Sequence, residues 1–138
     1  MGGPFLSGAM LCEKILRETD GVASVIRIVD TFIVEGPTDE IPPGVLRTHL
    51  YVCFKTGSAD GKKNMRIDIT GPDGKRRKLG DTEIEFDQAN GPQGGITTYM
   101  PIYLRLGVEG VYIIDLRLDG KRFTRLPFHV RYQQSKAT

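Results

Sequence analysis

Two histidines, four serines and seventeen carboxylates are the groups from which this chain could build a reactive site. None stands in a spacing that chemistry needs. There is no Gly-x-Ser-x-Gly to aim a serine, no His-Glu-x-x-His to hold zinc, no Gly-x-Gly-x-x-Gly and no phosphate loop closing on Gly-Lys-Ser/Thr. His49 and His129 fall on the outward parity of strand-like runs, where a solvated cross-strand neighbour is the ordinary role. Asp30, Asp68 and Asp115 lie inside such runs and two of them could meet in space. Arg66 and Arg117 share the parity of Asp68 and Asp115, however, so surface charge ladders are the simpler account. Cys12 and Cys53 are lone cysteines with no Cys-x-x-Cys and no adjacent histidine, which points to reduced thiols and against zinc. The residues nominate no catalytic, cofactor-binding or metal-binding group.

What they nominate is a surface. Lys75, Arg76, Arg77 and Lys78 form a basic run, with Lys62 and Lys63 upstream. The run follows a turn and lacks interleaved aromatic residues for base stacking, so a solvated turn explains it better than a nucleic-acid contact. Asp81, Glu83, Glu85 and Asp87 follow at alternate positions, which sets them about 6.6 Å apart on one face of one strand. Such a line cannot converge on a single calcium ion. It is expected to blunt a sheet edge or to meet a basic partner. Leu79-Gly80 is expected to turn the chain between the two patches, so that they face different directions. Tyr99 and Tyr103 share a parity with Pro101, and Tyr51 points outward from its own run. Their rings suit a protein interface, or stacking on a sugar or peptide, although the chain has no tryptophan.

The elements that must position these groups are strands. Val, Ile and Thr number 32 against 5 Ala, a composition that favours pleated strands over helices. Asp20-Gly21, Asp60-Gly61, Asp73-Gly74, Asn90-Gly91 and Asp119-Gly120 each separate strand-like runs and read as hairpin turns. Ala9 to Leu16 reads as a first strand, with a short helix as the alternative. Val22 to Val34 reads as one long strand. Val45 to Lys55 alternates with Leu46, Leu50, Val52 and Phe54 inward; Met65, Ile67 and Ile69, and then Ile84 and Phe86, alternate likewise. Pro101 marks its strand as an edge or a bulge. Val111 to Leu118 and Phe123 to Tyr132 form the strongest hairpin, through Asp119-Gly120. About eight antiparallel strands in a single domain over 1–138 describe a β-sandwich. The chain has ordinary globular proportions, 39% hydrophobic and 26% charged, which excludes disorder. Its net charge of +2 is too small to imply a polyanionic partner by field alone. No apolar run approaches the length of a membrane span, and no export signal is evident, so a cytoplasmic protein is expected.

Glu109-Gly110-Val111-Tyr112 resembles the tyrosine corner of immunoglobulin-like domains, which implies a structural hydroxyl on Tyr112 turned onto nearby backbone. Ile114 stands where antibody-type domains carry a cysteine. Ala9-Met10-Leu11-Cys12-Glu13, then Asp20-Gly21, then Val25-Ile26-Arg27-Ile28-Val29-Asp30, with Gly71-Pro72-Asp73-Gly74 later, resemble an uncharacterised family of small bacterial immunoglobulin-like β-sandwich proteins. That resemblance implies the fold and no activity. The sequence therefore reads as a non-catalytic interaction or assembly module that works with a protein partner or by self-association. A carbohydrate- or peptide-binding module is the alternative, and an enzyme of unknown class comes third.

Overall fold

The computed structural model describes residues 2–135, within which nine strands form two sheets. In chain order they are β1 (Phe5–Arg17), β2 (Ala23–Ile28), β3 (Thr31–Gly36), β4 (Gly44–Lys55), β5 (Gly61–Thr70), β6 (Arg76–Phe86), β7 (Gly95–Leu106), β8 (Gly110–Leu118) and β9 (Lys121–Gln134). A single turn of 3-10 helix, Gln88–Asn90, precedes β7. The four-stranded sheet runs β2-β1-β4-β7 and the five-stranded sheet β3-β9-β8-β5-β6. The architecture is all-β and sandwich-like. Residues 9–16 are strand, as the β-branched composition predicts.

The expected single strand from Val22 to Val34 is instead divided between the sheets. The Val29 amide donates to the Leu11 carbonyl of β1, while the Asp30 carbonyl accepts from the His129 amide of β9. The chain thus leaves one sheet and joins the other across two residues, Val29 and Asp30, and Asp30 lies in this crossover and not in a strand. Because β3 arrives from the opposite sheet, it runs parallel to β9, the exception to an otherwise antiparallel arrangement. Nothing in an unbroken β-branched run signals the switch; the nearest irregularity is Arg27, at φ 55°.

Three of the five Gly-containing turns close hairpins: Asp20-Gly21, Asp73-Gly74 and Asp119-Gly120. At the last, Asp119 and Gly120 both have positive φ, 48° and 82°, the twist that a two-residue hairpin demands. Asp60-Gly61 and Asn90-Gly91 instead carry the chain from one sheet to the other.

Inner-face residues fill the core. Phe54 of β4 meets Phe86 and Phe123 of the opposing sheet edge to face, with centroids 6.0 and 5.4 Å away. Leu50, Ile67, Ile114, Leu116 and Val130 are fully buried around this contact. Each such side chain contributes about 1.5–3 kcal/mol of burial. With the core held this way, both outer faces and the ends of the sandwich are left to act.

Candidate functional site

The basic run is split by strand alternation. Arg76 lies on the outer face of the five-stranded sheet and donates from Nη2 to Asp68 at 2.8 Å, while Lys78 lies 4.0 Å from Asp81. Lys75 and Arg77 face the other way, toward the open end of the sandwich, where Arg105 of β7 joins them. None of these three has an ion-pair partner among the described residues.

Leu79-Gly80 makes no turn. Strand β6 continues through it, and a shift in register opposite Ile67 and Asp68 leaves Leu79 as the extra residue of a bulge. Basic and acidic groups therefore occupy one strand. Strand β6 does form the edge of its sheet, as the ladder predicts. Its carboxylates are not an unpartnered row, because Asp81 accepts from Asn64 and Glu83 pairs with Lys62 at 3.6 Å. Asp87 lies beyond the strand and accepts from the Ala89 amide at 2.8 Å, capping the 3-10 turn.

The structure brings together a group that outward parity concealed. Asp68 of β5 and Asp115 of β8 face each other across the ladder, and both are buried, at 1% and 2% exposure. Arginines cover them. Arg66 Nε and Arg76 Nη2 donate to Asp68, while Arg122 Nε and Arg125 Nε lie 3.0 and 3.4 Å from Asp115 Oδ1 without aiming a hydrogen at it. Burial alone would raise the Asp68 pKa, but the hydrogen bonds from Arg76 and Arg66 outweigh it and hold the carboxyl below its ordinary value. A carboxylate that accepts from two arginines in this way suits an anchor for guanidiniums.

On the outer face of the four-stranded sheet, Tyr51 lies opposite Tyr99, Arg47 opposite Tyr103 and His49 opposite Pro101. The expected sharing of a face by Tyr99, Pro101 and Tyr103 holds, and Pro101 sits on an edge strand. Arg47 lies over the Tyr103 ring at 5.7 Å, and Arg17 over the Tyr99 ring at 5.8 Å. Arg17 is five residues past the last pairing of β1 with β4, at Cys12, or about 16 Å in an extended strand. Reaching Tyr99 requires the β1–β2 hairpin to bend over this face. Cys12 is fully buried there and its thiol pKa is pushed up by that burial; Cys12 and Cys53 are both free. His49 Nδ1 lies 3.1 Å from the Glu13 carbonyl oxygen, and His129 is exposed.

At the open end, a cavity of about 310 Å³ is floored by Ile69, Leu104 and Tyr112 and rimmed by Lys75, Arg77 and Arg105. The Tyr112 hydroxyl donates to the Val108 carbonyl at 2.6 Å, the backbone contact that Glu109-Gly110-Val111-Tyr112 predicts. Burial, then the Asp73 charge, pushes the Tyr112 pKa up, and Arg77 opposes them. Among the described residues no three His, Cys, Asp or Glu side chains gather as metal ligands, and no helix is long and apolar enough to cross a membrane.

Comparison with known proteins gives a family and a number of distant structural likenesses, among them the following two. The alkylpurine DNA glycosylase AlkC of Pseudomonas fluorescens, solved bound to DNA containing an abasic site analog, is similar over 89% of this chain and 30% of its own, with 12% identity and a TM-score of 0.48. The β-glucosidase 3B of Thermotoga neapolitana, solved in complex with glucose, is similar over 65% of this chain and 15% of its own, with 13% identity and a TM-score of 0.49. The chain thus spans less than a third of either protein. No curated protein matches it. A family model does match, over residues 7–131, and the chain accordingly belongs to DUF6941, a family of unknown function.

Proposed function

We propose that this chain is a non-catalytic interaction module of the bacterial cytoplasm, an immunoglobulin-like sandwich that presents one sheet face to a protein partner. One observation carries the reading. Ile26, Ile28, Val45, Tyr99 and Tyr103 stand exposed on the outer parity of the four-stranded sheet, and Leu16 stands exposed on its β1–β2 hairpin. Scattered exposed apolar residues are ordinary; six on one sheet and its hairpin are not. Tyrosine and arginine are enriched at interface centres, and here Arg17 and Arg47 already lie against the rings. The Tyr112 hydroxyl on the Val108 carbonyl supports the immunoglobulin-like assignment, and two free thiols suit a reducing compartment.

The test is affinity capture from the native cell with wild type and with the double variant Ile28→Lys, Tyr103→Glu, both checked for fold by circular dichroism. A stoichiometric protein partner held by wild type and lost by the variant is the expected result. Equal capture by both, or saturable quenching of tyrosine fluorescence by glycans with no protein captured, would reject it.

A further inference from the structure

We infer that the cavity at the open end of the sandwich binds a small organic dianion, a phosphate monoester with an apolar body. This goes beyond the proposed interaction face: the cavity lies at the end of the sandwich, where β7 meets the β5–β6 turn, and adjoins that face only at Arg105. Three observations converge. Among the described residues Lys75, Arg77 and Arg105 are cations without ion-pair partners, whereas Arg76 and Lys78 of the same run are paired with Asp68 and Asp81. The floor beneath them, Ile69, Leu104 and Tyr112, is apolar, and the Tyr112 hydroxyl is already engaged with the Val108 carbonyl. The volume of about 310 Å³ accommodates a small ring or short alkyl body, at the lower end of ligand cavities.

Charge selects the head group. Asp73 is the acidic residue at the rim, and its Oδ1 accepts from the Lys75 amide to close the turn. Three cations against this one anion leave two positive charges, which a dianion matches and a carboxylate half-matches. Arginine forks and a lysine point charge are the side chains that hold phosphate. The apolar floor then separates an organic phosphate from the free ion. An inorganic phosphate would leave it wet, and a phenyl ring would cover it.

Isothermal titration with phenyl phosphate, inorganic phosphate and phenol tests the proposal, with amide NMR shifts at Gly71 and Gly107 locating the ligand. Phenyl phosphate should bind at least about tenfold tighter than inorganic phosphate and phenol, and should weaken below about pH 6 as its second proton returns. Arg77→Glu with Arg105→Glu should abolish binding, and Arg77→Gln with Arg105→Gln should reduce it at least about tenfold. The glutamine pair keeps the test decisive if the charge reversal fails to fold. Equal affinity for phenyl phosphate and inorganic phosphate, binding untouched in the folded glutamine pair, or no binding by the folded wild type would each overturn the site. Ile28→Lys alone, on β2 at the opposite edge of the sheet from β7, should leave binding unchanged, which keeps failure of this site separate from failure of the interaction face.

Discussion

Asp68 shows how a residue's neighbours convert an outward strand position into a buried charge. Its two guanidinium partners hold it ionised in the folded protein, so its folded pKa lies below the unfolded value of about 3.9. The sign follows from linkage: the stabilisation is complete above the unfolded pKa and drains away as pH falls through it toward the folded pKa. Urea denaturation from pH 6 down to pH 3 should therefore show stability falling at the acid end. Asp68→Asn should flatten that fall and cost about 1.5–3 kcal/mol at neutral pH, the range for a hydrogen bond to a charged group. Wild-type stability at pH 7 in the Asp68→Asn variant would contradict the anchoring role. Tyr112 is the neutral counterpart. Removing its hydroxyl in Tyr112→Phe leaves the Val108 carbonyl without that donor and should cost about 1–3 kcal/mol, read from the urea midpoint at constant slope.

Among the elements, the β4–β7 pair depends on a glycine. Gly95 lies opposite Lys55, and a Cβ there would overlap the Phe54 carbonyl oxygen, a backbone atom that cannot swing aside. Gly95→Ala should lower the thermal midpoint by several degrees and loosen the start of β7, seen as faster amide exchange at Ile96 and Thr97. Gly120→Ala should cost less, since nothing lies within 4 Å of a Cβ there and only its φ of 82° resists. Turns of this kind were legible in the sequence, as were the alternating faces of β4, β5 and the β8–β9 hairpin, because period two and Asp-Gly are local signals. The contact of the Tyr112 hydroxyl with nearby backbone was legible for the same reason. What was not legible depends on pairing at a distance. The switch between β2 and β3 is invisible because both halves are equally β-branched. The bulge at Leu79 required knowing the partner strand. Asp68 and Asp115 carry the outward parity of surface residues, and only the register that sets Arg125 opposite Asp115, with Arg122 nearby and Arg66 and Arg76 beside Asp68, buries them. The end cavity was hidden too, since Arg105 joins Lys75 and Arg77 only when β7 meets the β5–β6 turn.

At the scale of the whole molecule, two open sheets leave four edge strands, β2, β7, β3 and β6, each a template for unwanted pairing. The chain guards them differently. Strands β2 and β3 are six residues each, and β7 carries Pro101, which has no N–H to offer. Strand β6 is eleven residues long and free of proline, so its protection must come from charge. Glu83 and Glu85 alternate with Ile84 and Phe86, which pack inward, and where the acidic halves of two approaching β6 edges meet, their like charges would repel. Replacing Glu83 and Glu85 by Val removes that repulsion and the Glu83–Lys62 pair while preserving strand propensity. Exposed pairs of this sort contribute under about 1 kcal/mol, so the fold should survive with an almost unchanged melting temperature. Association should nevertheless appear: sedimentation velocity at rising concentration should show the variant moving to dimers and larger species while wild type keeps its mass. Restoring charge with Lys at both positions should return it to the wild-type state. A valine variant whose mass stays constant across that range would show that the β6 edge is closed by something other than its carboxylates.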